Sequence, residues 1–165
     1  MKTKEIFRMA KKIGLSPECK ERMSTDLSIK NLCEMFFDGD DWSMENNFPD
    51  LSTLRRFKGI SDQYGLYTDY KGIKQNEQNS AFFGSSEVSL YYDAFNVSTV
   101  IIRHESKVKI KAIGNAIVLV NILDSAELEV ESYDNASVRV FCYDNLNVRT
   151  IGNVKVQTSN FNKNE

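Results

Sequence analysis

One histidine, one tryptophan, two prolines and three cysteines in 165 residues leave little of the material from which most chemical sites are built. Cys19, Cys33 and Cys142 are scattered and never form a CxxC spacing. That argues against a zinc site and a disulfide frame, and fits buried thiols in a reducing compartment. No apolar run is long enough for a membrane-spanning helix. The opening MKTKEIFRMAKK alternates charge with apolar residues where a signal peptide needs a continuous apolar stretch. A cytoplasmic location is therefore expected. Charge of one sign is lacking too: residues 1–84 carry 13 Lys/Arg against 13 Asp/Glu, and residues 85–165 carry 8 against 10, for a net −2. Without a basic excess, nucleic acid is not an expected partner, and without an acidic one the chain is not a DNA mimic. Phosphate-binding loops, nucleophile elbows and metalloprotease motifs are absent, as is the hexapeptide repeat of left-handed β-helix acyltransferases. No cofactor and no metal are expected.

What is present is a repeat. From Ser85 onward the chain recurs every ten residues, most clearly as ESKVKIKAIG, NAIVLVNILD, SAELEVESYD, NASVRVFCYD and NLNVRTIG, starting at Glu105, Asn115, Ser125, Asn135 and Asn145. Each copy opens on a small or polar residue, places an aliphatic at its fourth position and, except for Thr150 in the last, at its sixth, and most close on Asp or Gly. A fixed period of this kind decides the fold before any single residue does. The alternation and the Val, Ile and Tyr content make the repeats strands.

Ahead of them the period is helical. Ile6, Met9, Ala10 and Ile13 mark one face of a helix over about residues 3–13, stopped at Gly14. Ser16-Pro17 opens a second helix, and Asp26 or Ser28 caps a third with the stripe Ile29, Leu32, Cys33, Phe36 and Phe37, ended by Gly39. A helical turn near Trp42–Glu45 follows; Pro49 breaks it, and Asp50 caps LSTLRRF. From Gly59 to Gly84 the helical period fades. The expected organisation is a helical head over 1–74, a linker or first cap over 75–84 around the polar QNEQN, strands over 85–160, and a disordered tail over 161–165. Dense aromatics at Trp42, Phe48, Phe57, Tyr64, Tyr67 and Tyr70 are expected to form the head's small core and its seam with the strands.

Two folds use a ten-residue unit: an antiparallel meander with two-residue turns, and a parallel β-helix in which two units make one 20-residue coil. Outward positions discriminate. Lys107, Lys109 and Lys111 lie twenty residues before Glu127, Glu129 and Glu131, and a 20-residue coil stacks them about 4.8 Å apart. The same register sets Glu87 beside Lys107, and Glu129 beside Arg149. A meander would instead set the lysines against Ile117, Leu119 and Asn121. The expected architecture is thus α+β: a helical domain capping a parallel β-helix of about four coils, with the antiparallel meander as alternative. Its interior stacks Val88, Val108, Leu128 and Val148 beside Leu90, Ile110, Val130 and Thr150 on one wall. Val118 on Val138, with Val100, Val120 and Val140 beside them, form the other. The last unit is two residues short at Gly152-Asn153, and Ser98 breaks the aliphatic pattern of the first coil.

The second wall differs on its outside, where Val97, Thr99 and Ile101, then Ile117, Leu119 and Asn121, then Ser137, Arg139 and Phe141 project. An apolar patch of this kind implies cover by the head, by a second copy as a homodimer, or by another protein. Val97, Ile101, Ile117, Leu119, Arg139 and Phe141 are the candidate binding residues. The candidate for chemistry is a column of turn residues, His104, Asp124 and Asp144, with Glu105 near. A His above two carboxylates suits acid–base hydrolysis or a divalent metal; Asp and Asn are also the residues that tight turns need. The acidic loop Asp38-Gly39-Asp40-Asp41 lacks the ligand pattern of a calcium loop, and Arg55, Arg56 and Lys58 read as a solvated helix end.

SYDNASVRV, FCYDNLNVR and AIGNAIVLV resemble the decapeptides of the YDNA and YGNA type found in small uncharacterised bacterial proteins of the mobile-element or prophage kind. In these a short β-helix follows a helical head. The resemblance covers about half the chain and implies a fold; it carries over no catalytic residues. The function expected is a non-enzymatic protein-interaction module, in one version an inhibitor or adaptor encoded by a mobile element. The alternatives are a small hydrolase or carbohydrate-active enzyme using the turn column, and a self-assembling structural unit.

Overall fold

In the N-terminal part, side chains end the helices where the sequence implies. The computed structural model describes residues 3–161 and places helices α1 at Thr3–Ile13, α2 at Pro17–Thr25, α3 at Ile29–Asp38, α4 at Asp40–Glu45 and α5 at Leu51–Arg56, then a 3₁₀ turn at Ser61–Tyr64. Ser16 Oγ accepts from the Cys19 amide at 3.2 Å, Ser28 Oγ from the Asn31 amide at 3.2 Å, and an Asp50 oxygen from the Thr53 amide at 2.9 Å. Each satisfies one of the amides a helix start leaves without an intrahelical acceptor. Ser28 is the cap of α3, and Asp26 accepts from the Ser28 amide one turn earlier. Ile6, Ala10 and Met23 centre the core of this unit, packed by Leu15, Leu32, Trp42, Phe48 and Phe57 among others.

Residues 1–64 and 65–165 form two separate compact units. The second is a solenoid of stacked coils, about four turns in its regular part. Its strands are β1 (Leu66–Thr68), β2 (Lys71–Gln75), β3 (Asn79–Phe83), β4 (Glu87–Tyr92), β5 (Val97–Ile102), β6 (Lys107–Ala112), β7 (Ile117–Ile122), β8 (Glu127–Ser132), β9 (Ser137–Cys142), β10 (Val148–Gly152) and β11 (Val154–Thr158). Odd-numbered strands through β9, with β11, form a six-stranded sheet A; the even-numbered strands form a five-stranded sheet B. Every pairing within these sheets is parallel, so the antiparallel meander is excluded.

The expected register holds residue for residue: Lys107, Lys109 and Lys111 pair with Glu127, Glu129 and Glu131, Glu87 with Lys107, and Arg149 with Glu129. Inside, the two walls stack as anticipated, and Leu90, Ile110, Leu128, Val100, Val118, Val120 and Val138 are all buried. Ser98 keeps its inward place opposite Val118 because its hydroxyl finds Asn96 Oδ1 at 3.1 Å.

Four expectations need correction. The solenoid starts at Leu66, not Ser85, so the helical unit ends near Tyr64 and the segment 75–84, instead of being a linker, runs from the end of β2 through β3. These first coils are short, with Leu66 opposite Ala81 and Lys71 opposite Glu87, and the missing residues hide the 20-residue period. The last coil is short by four residues, not two: Val154 pairs with Val138, while Val148 still pairs with Leu128. Asn153 alone turns that corner, and Gly152 at φ +85° lies so close over Ser132 that any Cβ would overlap its carbonyl oxygen. Phe161, expected in a disordered tail, stacks on Tyr143 at 4.6 Å between ring centres; residues 162–165 of that tail lie outside the described residues. The aromatic seam divides as well: Trp42, Phe48 and Phe57 belong to the helical core, while Tyr67 and Tyr70 pack in the solenoid.

Glu129 lies between Lys109 and Arg149, 3.9 Å from a charged nitrogen of each, with all three side chains exposed. Replacing Glu129 by Lys puts three cations in one column. Urea unfolding should show a loss of about 0.5 kcal/mol at low ionic strength that 1 M salt largely removes.

Candidate functional site

The corner joining sheet A to sheet B is where the histidine and carboxylate candidates meet. On each coil one residue there has a left-handed backbone: Asp69, Gly84, His104, Asp124 and Asp144, with φ between 48° and 69°. Gly, Asp and Asn tolerate this conformation best among the residue types. At three of these five positions the side chain ties the residue to the coil before or after. His104 Nδ1 accepts from the Gly84 amide at 3.0 Å, and an Asp124 oxygen accepts from the His104 amide at 2.9 Å. Asp69 accepts from the Ser85 amide at 2.9 Å. The opposite corner repeats the device: Asp134 accepts from the Gly114 amide at 3.1 Å, with φ of 58° and 64° at the two residues.

Asp124 is committed further. The Arg103 guanidinium donates to both of its oxygens, at 3.1 and 3.5 Å, and the Arg103 side chain is 7% exposed. Burial pushes the Asp124 carboxyl up, but the His104 amide and the Arg103 charge outweigh it and hold the group below its ordinary value. The Nδ1 acceptor role requires a neutral His104 ring with its proton on Nε2. In the next coil Asn145 replaces the carboxylate ladder. Its amide donates to the carbonyls of Leu123, Asp124 and Ala126, at 3.4, 2.9 and 2.9 Å. His104 and Asp124 do come together, while Asp144 stands exposed at the next turn. The first two are held by backbone amides and an arginine, as turn residues are. Among the described residues no cluster of three or more His, Cys, Asp or Glu side chains is placed to hold a metal ion.

The outer face of sheet A presents the other candidates. Rows of the register run Val97–Ile117–Ser137, Thr99–Leu119–Arg139 and Ile101–Asn121–Phe141. Val97 is 50% and Ile117 37% exposed; Arg139 is exposed, and Leu119 and Phe141 are half-buried. Ile101 is a correction: it is 0% exposed, between Ala81 and Asn121 in the register, and is a packing residue without surface for a partner. Exposure therefore concentrates at the corner where sheet B returns to sheet A. There the sequence reading missed Phe95, Ile113 and Tyr133, which are 81%, 37% and 40% exposed. Each falls in or beside a turn, where an apolar residue breaks the polar habit of loops. That break was the available signal.

Stacking brings these residues to one corner as a ridge, on which Tyr133 leans toward sheet B: its hydroxyl donates to Glu131 at 3.1 Å and the Lys111 ammonium lies 5.7 Å from its ring centre. The amides of Ile113 and Tyr133 donate to Tyr92 and Ala112, and that of Ile117 to Asn96, so the turns rise in step. Phe95 and Val97, then Ile113 and Ile117, then Tyr133 thus follow one another coil by coil. The outer face of sheet B is charged through its middle, where an open cavity of about 860 Å³ lies over Glu87, Lys107, Lys109, Glu127, Glu129, Leu146 and Arg149, with Ile73, Tyr91 and Ile151 exposed singly beside that ladder. Comparisons with protein-family models, with curated proteins and with solved structures found no match.

A turn role for the column makes two linked predictions. His104→Asn should be nearly neutral, while His104→Val, β-branched at φ +59°, should cost about 1–3 kcal/mol in urea unfolding. Asp124→Ala should cost about 2 kcal/mol, because it leaves the Arg103 guanidinium without its carboxylate. With its folded-state pKa lowered, Asp124 contributes fully above the ordinary aspartate range, and that contribution is lost as pH falls through the lowered value. Acid titration of stability should therefore be shallower in Asp124→Asn than in the parent over that range.

Proposed function

We propose that this chain is a non-enzymatic protein-interaction module whose solenoid presents the ridge of Phe95, Val97, Ile113, Ile117 and Tyr133 to another protein. The observation that carries this reading is the contrast between the two outer faces. One carries a Lys/Glu ladder through its middle, with Ile73, Tyr91 and Ile151 exposed only singly beside it; the other ends in a line of exposed apolar and aromatic side chains with Arg139 and Phe141 beside it. Apolar surface gathered in one place, rimmed by polar residues, is how binding sites differ from ordinary surface. Aromatic and arginine side chains supply most of the energy at such sites. A rigid scaffold suits the role, since little is lost in ordering it on binding.

His104 and Asp124 support the same reading from the other side, because the bonds that hold them are those of a coil corner. Three thiols without disulfide partners, two of them buried, fit a reducing cytoplasm. No helix among the described residues is long and apolar enough to cross a membrane. An inhibitor or adaptor of the mobile-element kind is one form the module takes under this proposal.

The test is capture by the immobilised full chain from extracts of the cell that makes it, comparing parent, the double variant Ile117→Glu/Tyr133→Glu, and Lys109→Glu as a control on the other face. A specific partner should bind parent and control and be lost from the double variant, whose circular dichroism stays that of the parent. Retention of the partner by a folded double variant would remove the ridge from consideration.

A further inference from the structure

The two ends of the solenoid are finished differently. At the first, β2 turns Gly72 and Lys74 to the positions that Val88 and Leu90 fill in β4. The Lys74 ammonium lies 5.3 Å from the centre of the Tyr67 ring and 5.4 Å from that of Tyr70. The Tyr67 hydroxyl donates to Glu77 at 3.0 Å. Tyr70 lies across Gly72, where an added Cβ would come within 2.8 Å of its hydroxyl. A charge pointing inward from an edge strand is one of the devices by which sheets refuse a further strand.

The last coil carries no such device. Val148 and Thr150 on β10, and Val154 and Val156 on β11, continue the four inward columns of the core. One coil earlier Leu128, Val130 and Val138 are 1% exposed and Val140 0%, whereas Val156 is 45% exposed and Thr150 is exposed too. Ile151 at 56% and Leu146 at 79% add apolar surface there. Strands β10 and β11 are the terminal members of their sheets, and no strand among the described residues pairs with their outer backbone edges.

The geometry points to a second copy of this chain as the occupant, joined last coil to last coil about a two-fold axis. The two strands are five residues each and flank Asn153 symmetrically. A two-fold axis along the strands lays β11 of one copy antiparallel on β10 of the other, matching residues at equal distance from Asn153. Inward, Val156 then meets Thr150, Val154 meets Gly152 and Thr158 meets Val148. Outward, Lys155 meets Ile151 and Gln157 meets Arg149. Neither cation faces a cation, both edges gain partners, and the inner columns run on from one copy into the next. Stacking the last coil on the first would instead bury Lys74 against Thr150 and Val156, and it would not close. The end of the solenoid thus favours a closed dimer over a fibre, and this interface is separate from the ridge proposed above.

Analytical ultracentrifugation of the full chain over a range of concentrations tests this. A concentration-dependent dimer is expected. Val156→Lys, at a half-exposed position, should leave the circular dichroism unchanged and reduce the species to monomer; Lys74→Leu and Ile117→Glu should leave the dimer intact. A monomer at every concentration up to the solubility limit overturns the proposal. So do a dimer that persists in folded Val156→Lys and assemblies that grow without limit.

Discussion

Everything in the solenoid depends on turning the chain twice per coil within a few residues, without losing register. A parallel coil has no hairpins to set its alignment, so the corners must do it. The left-handed residue at each corner reverses the chain, and the stacked side chain at the same position locks that reversal to its neighbour. His104 on Gly84, Asp124 on His104 and Asp134 on Gly114 are all this one interaction. Each bond satisfies a corner amide that the strand ladders do not reach. Without it the amide would be exposed or orphaned, and the strands on either side could slip. The Lys/Glu ladders reinforce the alignment with exposed pairs, but at 3.9 Å and half or more exposed they contribute little energy. The corners hold the register; the charges disfavour the wrong one.

This division of labour explains which parts of the fold were legible in the sequence. Charge ladders and strict alternation in β6 to β9 carry the 20-residue coil openly, because one face is solvated and the other buried. Strand β1 carries no such signal: Leu66, Tyr67 and Thr68 are all buried, so no alternation marks it. Strand β2 reads as polar because its inward positions are Gly72 and Lys74, the residues that finish the first coil. Both ends also drop residues from their corners, and a period search loses the pattern where the coil shortens. Gly152 and Asn153 announce the last shortening, but its length depends on a backbone contact with Ser132 that no linear pattern encodes.

The candidate sites separate on the same logic. His104 and Asp124 were found together by stacking alone, and stacking is also what occupies them. A residue identified because it recurs at a corner is, by that fact, doing what corners need; Arg103, whose partnership with Asp124 deepens that commitment, stands outside the repeat and was missed. The ridge is the reverse case. Val97 and Ile117 were visible because they break the pattern of the outer face, while Phe95, Ile113 and Tyr133 break the pattern of the turns and were missed. Departures from a repeat carry more information about function than the repeat, since packing explains the repeat already. Ile101 shows the limit of that rule: it departs from the polar pattern and is nevertheless wholly buried.

A repeat that needs neighbours to bury its core must also solve the problem of stopping. Two solutions exist: end on polar side chains, or let a partner complete the last layer. The first coil takes the polar route, since Lys74 spends its charge on the faces of Tyr67 and Tyr70 and leaves no apolar column open. The final coil keeps Val148, Val154 and Val156 in the core columns although nothing among the described residues buries them as their predecessors are buried. If solvent were their permanent environment, polar residues would serve β11 better, as they serve β2. The asymmetry between the ends is therefore more than fraying. It follows from two opposite answers to one requirement, that a stacked core be covered.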